Sequence, residues 1–104
     1  MKKIAKLSDV TVGEIKGFDF DGEEVILINT GKKIIALSGV CPHADGPMEE
    51  GFINSENTTI ECPWHSSIFD LISGDVLGGH SFEDLTKFDV EIIDDQIHIG
   101  LQSK

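Results

Sequence analysis

Arginine is missing from this chain altogether; its 8 basic residues are all lysine. Bidentate recognition of phosphates or carboxylates by a guanidinium fork is therefore excluded. Positive charge of any kind is scarce: 8 lysines stand against 19 Asp and Glu, a net charge of −11. A nucleic-acid backbone and an anionic membrane surface both require a basic face, so neither is an expected partner. An acidic protein of this kind is soluble, or docks on a basic patch of another protein. No run approaches the length of about 18 apolar residues that a membrane-spanning helix needs. The opening Met1-Lys2-Lys3-Ile4-Ala5-Lys6 is basic, but no apolar run or small-residue cleavage site follows. No secretory signal is expected, and a cytoplasmic setting is the default. Cysteine is scarce too: Cys41 and Cys62 are the only two. In that setting they are ligands or free thiols rather than a disulfide. Internal repeats, low-complexity stretches and linkers are also missing. The 104 residues, 39% of them hydrophobic, suffice for one core and not for two.

The patterning that is present is β almost throughout. Residues 24–29 (Glu-Val-Ile-Leu-Ile-Asn) and 32–37 (Lys-Lys-Ile-Ile-Ala-Leu) are two strand-like runs around Asn29-Thr30-Gly31, a hairpin signal. Toward the C-terminus Phe88, Val90 and Ile92, then Ile97, Ile99 and Leu101, alternate with mostly polar neighbours about Asp94-Asp95. That pattern predicts a second hairpin with one buried face. Weaker strand signals cover 3–7, 13–18, 58–62 and 67–71. Helix has little support beyond a single turn over 81–86, with Ser81 as N-cap and Asp84 three residues on. Between the hairpins, residues 39–80 are rich in Gly, Pro, Ser, Asn, Cys and His, and read as an insertion that displays a site.

That insertion contains Cys41-Pro42-His43 and Cys62-Pro63-Trp64-His65. Each stretch offers one thiolate and one imidazole, and the proline after each cysteine stiffens its loop. Three readings compete. Two buried cysteines with two unrelated histidines would require both Cys/His pairs to arise by coincidence. A Cys₂His₂ zinc site has suitable ligands, but such sites space paired ligands by two or more residues, and Cys41-x-His43 is tighter. A [2Fe–2S] cluster cannot be all-thiolate within one chain, because only two cysteines exist. The remaining set, two Cys and two His, is the one described for Rieske centres.

Cys41-x-His43 followed by Cys62-x-x-His65 resembles the Rieske signature in ligand order and spacing. Cys62-Pro-Trp-His-Ser-Ser-Ile-Phe-Asp70 is similar to the second cluster loop of Rieske-type ferredoxins and of ring-hydroxylating oxygenases, and Ser73-Gly74-Asp75-Val76-Leu77-Gly78-Gly79 to the segment after it. The resemblance spans essentially the whole chain. It implies an all-β Rieske fold, a single domain over 1–104. Residues 1–38 and 81–104 would form an antiparallel sandwich or barrel-like base, and about 39–80 an inserted cluster-binding subdomain. It also implies that Cys41 and Cys62 hold an inner iron, and His43 and His65 an outer iron nearer solvent. Two neutral imidazoles in place of two thiolates raise the potential above that of an all-thiolate cluster. Their ring N–H groups lose a proton more easily beside ferric iron, so the potential falls at alkaline pH.

Departures from the high-potential respiratory Rieske proteins are informative. Those proteins carry one extra cysteine in each loop, joined as a disulfide, and a membrane anchor; here Trp64 stands where one such cysteine would be. Ser67 occupies the position of a serine, and Phe69 that of a tyrosine, whose hydroxyls bond the cluster. Ser67 is thus a candidate cluster contact, or a loop serine satisfying local backbone; Phe69 has no hydroxyl and reads as core. A potential in the lower part of the Rieske window of about −150 to +300 mV follows. Trp64 reads as a shield or a docking face. Met48 and Pro47 read as packing under the first loop. Asp45, Glu49, Glu50, Glu56 and Glu61 form a solvated rim that could steer a basic partner. His98 reads as a surface histidine, and His80 as an exposed loop histidine where relatives carry a proline-bearing loop.

No Ser/His/Asp set or phosphate loop appears, and 104 residues leave no room for a substrate pocket or flavin domain. The expectation is a soluble one-electron carrier, not an enzyme. It would pass electrons from an NAD(P)H-dependent flavoprotein reductase to a terminal oxygenase, docking through the cluster tip. The alternatives are a small subunit of an assimilatory NADH-dependent nitrite reductase and, in another class, a zinc-stabilised binding module.

Overall fold

The computed structural model describes residues 1–42, 46–64, 67–79 and 83–101. Among them there is no α-helix; the ordered structure is ten strands and two short 3₁₀ turns, Leu7–Asp9 and Met48–Glu50. The strands are β1 (Lys2–Lys6), β2 (Ile15–Phe20), β3 (Glu23–Asn29), β4 (Ile34–Ser38), β5 (Phe52–Ile53), β6 (Thr59–Glu61), β7 (Ile68–Asp70), β8 (Val76–Gly78), β9 (Lys87–Ile93) and β10 (Gln96–Leu101). They form a six-stranded antiparallel sheet, β1-β10-β9-β4-β3-β2, and a four-stranded one, β5-β6-β7-β8. The edge strands of the larger sheet come together, and the Lys2–Asp21 ion pair ties β1 to the turn after β2.

The uninterrupted apolar run in β3 is explained by its position. Val25, Ile26, Leu27 and Ile28 are all buried. Val25 and Leu27 point into the core of the six-stranded sheet with Ala36, Phe88, Ile97 and Ile99. Ile26 and Ile28 point the other way, with Ile35 and Leu37 of β4, into a second core shared with Ile60, Phe69, Cys41 and Cys62. A strand covered on both faces has no polar face to show in its sequence. The smaller sheet closes this second core with one inward row, Ile53, Ile60, Phe69 and Val76, set side by side by its register. It is inserted between β4 and β9, which pair with each other through Ala36–Phe88 and Leu37–Lys87.

Both predicted hairpins form, with adjustments. The first turn runs longer than expected: Lys32 and Lys33 belong to it, its ends joined by Thr30 N–H donating to the Lys33 carbonyl at 3.1 Å. In the second, Asp94 and Asp95 take φ of 50° and 62°, the two left-handed residues of a tight hairpin turn. Its buried face is confined to the middle and one end: Ile97 and Ile99 are fully buried, while Ile92 and Leu101 are 43% and 73% exposed. The single helical turn predicted over 81–86 is not supported. Ser81 and Phe82 lie outside the described residues, and 83–86 carry no helix. Asp84 does not cap; its Oδ1 accepts a 2.8 Å hydrogen bond from Val76 N–H. Strands β5 and β8 leave no signal in the sequence, because two- and three-residue strands carry no readable period.

Candidate metal centre

The first loop leaves β4 at Ser38 and is folded back by an antiparallel bridge between Val40 and Pro47. Cys41 N–H donates to the Gly46 carbonyl at 2.9 Å, and Met48 N–H to the Gly39 carbonyl at 2.9 Å. The second loop is the tip of the β6–β7 hairpin, where Cys62 N–H donates to the Ser67 carbonyl at 2.8 Å. The two loops are thus built alike. In each a cysteine amide bonds the carbonyl five residues on, and a proline follows the cysteine. Cys41 and Cys62 are both fully buried, in one core with Met48 and Phe69, and neither is in a disulfide. Met48 packs beneath the first loop as expected.

The loops lie against each other. Gly46 of the first loop is so close to the second that a β-carbon there would stand 2.8 Å from Cys62 Sγ and 3.4 Å from Trp64 Cγ. Only glycine leaves that space open. Two buried cysteines in one core, on separate stiffened loops that meet at a residue without a side chain, suit the thiolate half of a [2Fe–2S] cluster. His43 and His65 lie outside the described residues, as do Asp45 and His80. Among the described residues no three potential metal ligands gather.

Ser67 is not a surface-loop serine: it is fully buried, at the foot of the second loop. Phe69 is core, as expected, and Trp64 is 58% exposed. His98 is half-buried on β10. The acidic rim needs redrawing. Glu56 lines a shallow cleft with Lys32, Lys33, Thr30, Asn57 and Ile72, at the turn between β3 and β4. A different acidic segment reaches the start of the first loop through Glu24: Asp19, Glu23 and Glu24 are exposed about the β2–β3 turn, with Asp21 ion-paired to Lys2. Val25 pairs with Ser38, and Gly39 N–H donates to the Glu24 carbonyl at 2.8 Å. Glu49 joins them, its carboxylate resting on Gly17 of β2. The sequence alone misses this: counting outward from the predicted turn pairs residue 24 with 37, and only the longer observed turn brings it opposite 39.

Below the site, the β7–β8 turn is fixed by one carboxylate. Asp70 Oδ1 accepts the N–H groups of Ile72 and Ser73, both at 2.9 Å. These bonds, with Lys87 nearby, hold the Asp70 carboxyl below its ordinary pKa against a smaller opposing effect of burial. Glu14 is likewise lowered, chiefly by the Thr11 N–H.

Comparison with known proteins agrees with this geometry. The Rieske [2Fe–2S] domain model matches residues 1–89, and the chain belongs to that family. The ferredoxin component of a naphthalene 1,2-dioxygenase system from Pseudomonas putida is 30% identical over 95 residues, covering 91% of this chain and 89% of the relative. The ferredoxin component of the naphthalene 1,2-dioxygenase/salicylate 5-hydroxylase systems of a Ralstonia species is 32% identical over 88 residues, covering 85% and 83%. The solved ferredoxin of carbazole 1,9a-dioxygenase from Nocardioides aromaticivorans superposes with a TM-score of 0.88 at 28% identity, covering 96% of each chain. The cofactor that membership implies is a Rieske-type [2Fe–2S] cluster. No helix among the described residues is long and apolar enough to cross a membrane.

Proposed function

We propose that this chain is a one-electron carrier that passes electrons from an NAD(P)H-dependent flavoprotein reductase to a terminal oxygenase. The relatives named as ferredoxin components of dioxygenase systems support that assignment over a nitrite reductase subunit. The observation that carries it is the pair of like-built Cys-Pro loops meeting at Gly46. Cys41 and Cys62 would hold one iron, and His43 and His65 the other. When bound, the cluster supplies a one-electron couple whose potential lies above that of an all-thiolate centre. The protein's part is to bury both thiols, keep water from them and hold the loops at fixed separation. Ser67 would add a hydroxyl bond to the cluster from its buried position. We read the chain as one domain, with the base formed by 1–38 and 81–104 and the cluster-binding insertion by 39–80. A cytoplasmic setting suits two cysteines outside any disulfide.

Charge supports docking at this end of the molecule on a basic partner. Asp19, Glu23, Glu24 and Glu49 are exposed about the β2–β3 turn and the first loop. Complementary charge of this kind speeds encounter and is screened by salt.

The test is low-temperature EPR of the dithionite-reduced protein with iron and sulfide analysis. The expected result is a rhombic signal with average g below that of all-thiolate [2Fe–2S] ferredoxins, and about two iron atoms per chain. Iron-free, EPR-silent protein carrying zinc would overturn the carrier reading in favour of a zinc-stabilised binding module.

A further inference from the structure

Trp64 is an unusual expenditure for a small acidic protein. It is 58% exposed, and the core beneath the loops is already filled by Met48, Ile60, Phe69 and Leu71. What the indole touches is the other loop. The space above Gly46 is bounded by Trp64 Cγ and Cδ2, 3.4 and 3.5 Å from where a β-carbon would be, and by Cys62 Sγ at 2.8 Å. Gly46 itself is buried, and its carbonyl receives the Cys41 amide. One residue therefore closes the first loop with its carbonyl and receives the second loop on its α-carbon. Neither cysteine is in a disulfide, so no such bond ties the two loops.

We propose that Gly46 and Trp64 are positioning residues that act as a noncovalent clasp: the indole lies across Gly46, pins one cysteine loop to the other and screens the Cys62 sulfur from water. The proposal rests on the reading of the two loops as cluster-holding. Its consequence is electrostatic as well as mechanical. Reduction would add one negative charge to the cluster that Cys62 helps hold, and excluding water from the Cys62 side disfavours that charge. Opening the clasp should therefore loosen the cluster and raise its potential together.

The experiment compares the holo wild type with Trp64→Ala and Trp64→Phe. Two quantities are read: the rate at which visible absorbance is lost to an iron chelator, and the midpoint potential from a dithionite titration followed by visible circular dichroism. Trp64→Ala should lose the cluster about tenfold faster, the usual scale for residues that support a metal site, and its potential should move upward. Trp64→Phe, which keeps an aromatic face on Gly46, should stay close to wild type in both. A residue more than half exposed is a safe substitution for folding. Gly46→Ala provides the second arm: the added methyl displaces Cys62 Sγ and should alter the g-values or reduce cluster content. Trp64→Ala with unchanged lifetime and potential would overturn the clasp, as would Trp64→Phe behaving like Trp64→Ala. The first of these is also what a tryptophan serving only to dock a partner would give. Wild-type protein purified without any iron–sulfur cluster would overturn both the clasp and the carrier reading, which separates that failure from failure of the clasp alone.

Discussion

The six-stranded sheet and the four-stranded sheet are held together by different means. The larger one has strands of five to seven residues, and β2 pairs with β3 over six positions. Its core is aliphatic and aromatic, with no site residue in it. The smaller one has strands of two or three residues. Its turns depend on side chains bonding backbone: Asn54 Oδ1 accepts from the Thr58 and Thr59 amides, Asp70 from Ile72 and Ser73, and Asp84 from Val76. Its core includes both candidate iron-ligating cysteines. A sheet too short to persist alone is made stable by packing on the back of β3 and β4. This division predicts a scaffold that keeps its fold without the cofactor and a smaller sheet that depends on it.

Cys62→Ser should show this division most sharply. The protein should lose its iron–sulfur absorbance entirely, while far-UV circular dichroism retains the β signature of the six-stranded sheet. Complete unfolding of this variant would show that the two regions form one cooperative unit. Leu27→Ala, on the face of β3 turned away from the site, should cost about 2–5 kcal/mol in chemical denaturation, with the EPR signal of the remaining folded protein unchanged. Gly74→Ala strikes the junction. Gly74 has φ of +81°, and a β-carbon would sit 2.2 Å from the Leu85 carbonyl oxygen, which no L-residue can accommodate without movement. A loss of about 1–3 kcal/mol is expected, read as a lower denaturation midpoint.

Phe69→Tyr restores a hydroxyl at the position where high-potential Rieske proteins carry tyrosine. If that hydroxyl reaches the cluster, the midpoint potential should rise by about 60 mV, the one-electron equivalent of about 1.4 kcal/mol. An unchanged potential would mean that the buried ring points its para position elsewhere. The smallest effect is that of pH on the β7–β8 turn. The folded-state pKa of Asp70 is lowered, so its carboxylate stabilises the fold above the ordinary carboxylate value, and this contribution is lost as pH falls through the folded value. Asp70→Asn keeps an oxygen acceptor for the Ile72 and Ser73 amides but does not titrate. Stability measured between about pH 5 and pH 2 should fall less steeply in the variant than in wild type.

Much of the fold is legible in the sequence. The β-only character, both long hairpins and the Cys/His spacing are local properties: period-two patterning, turn residues and ligand order are written along the chain. The burial of Ser67, left open by the sequence, and the place of Glu56, which the sequence set in the rim beside the site, escape local reading for one reason. Whether a loop residue is buried, and which end of the molecule a turn occupies, depends on what packs against it from elsewhere. The same limit concealed β5 and β8, whose few residues become strands only because β6 and β7 are there to pair with. Local sequence therefore determined the chemistry available to this protein, since spacing alone placed a thiol and an imidazole in each of two stiff loops. Only the tertiary structure decided that the β2–β3 acidic segment reaches the start of the first loop through Glu24, and that Gly46 meets Cys62 and Trp64 across the second. Contacts between segments far apart in the chain follow from strand register and from filling a shared core, and neither leaves a mark on the residues that happen to meet.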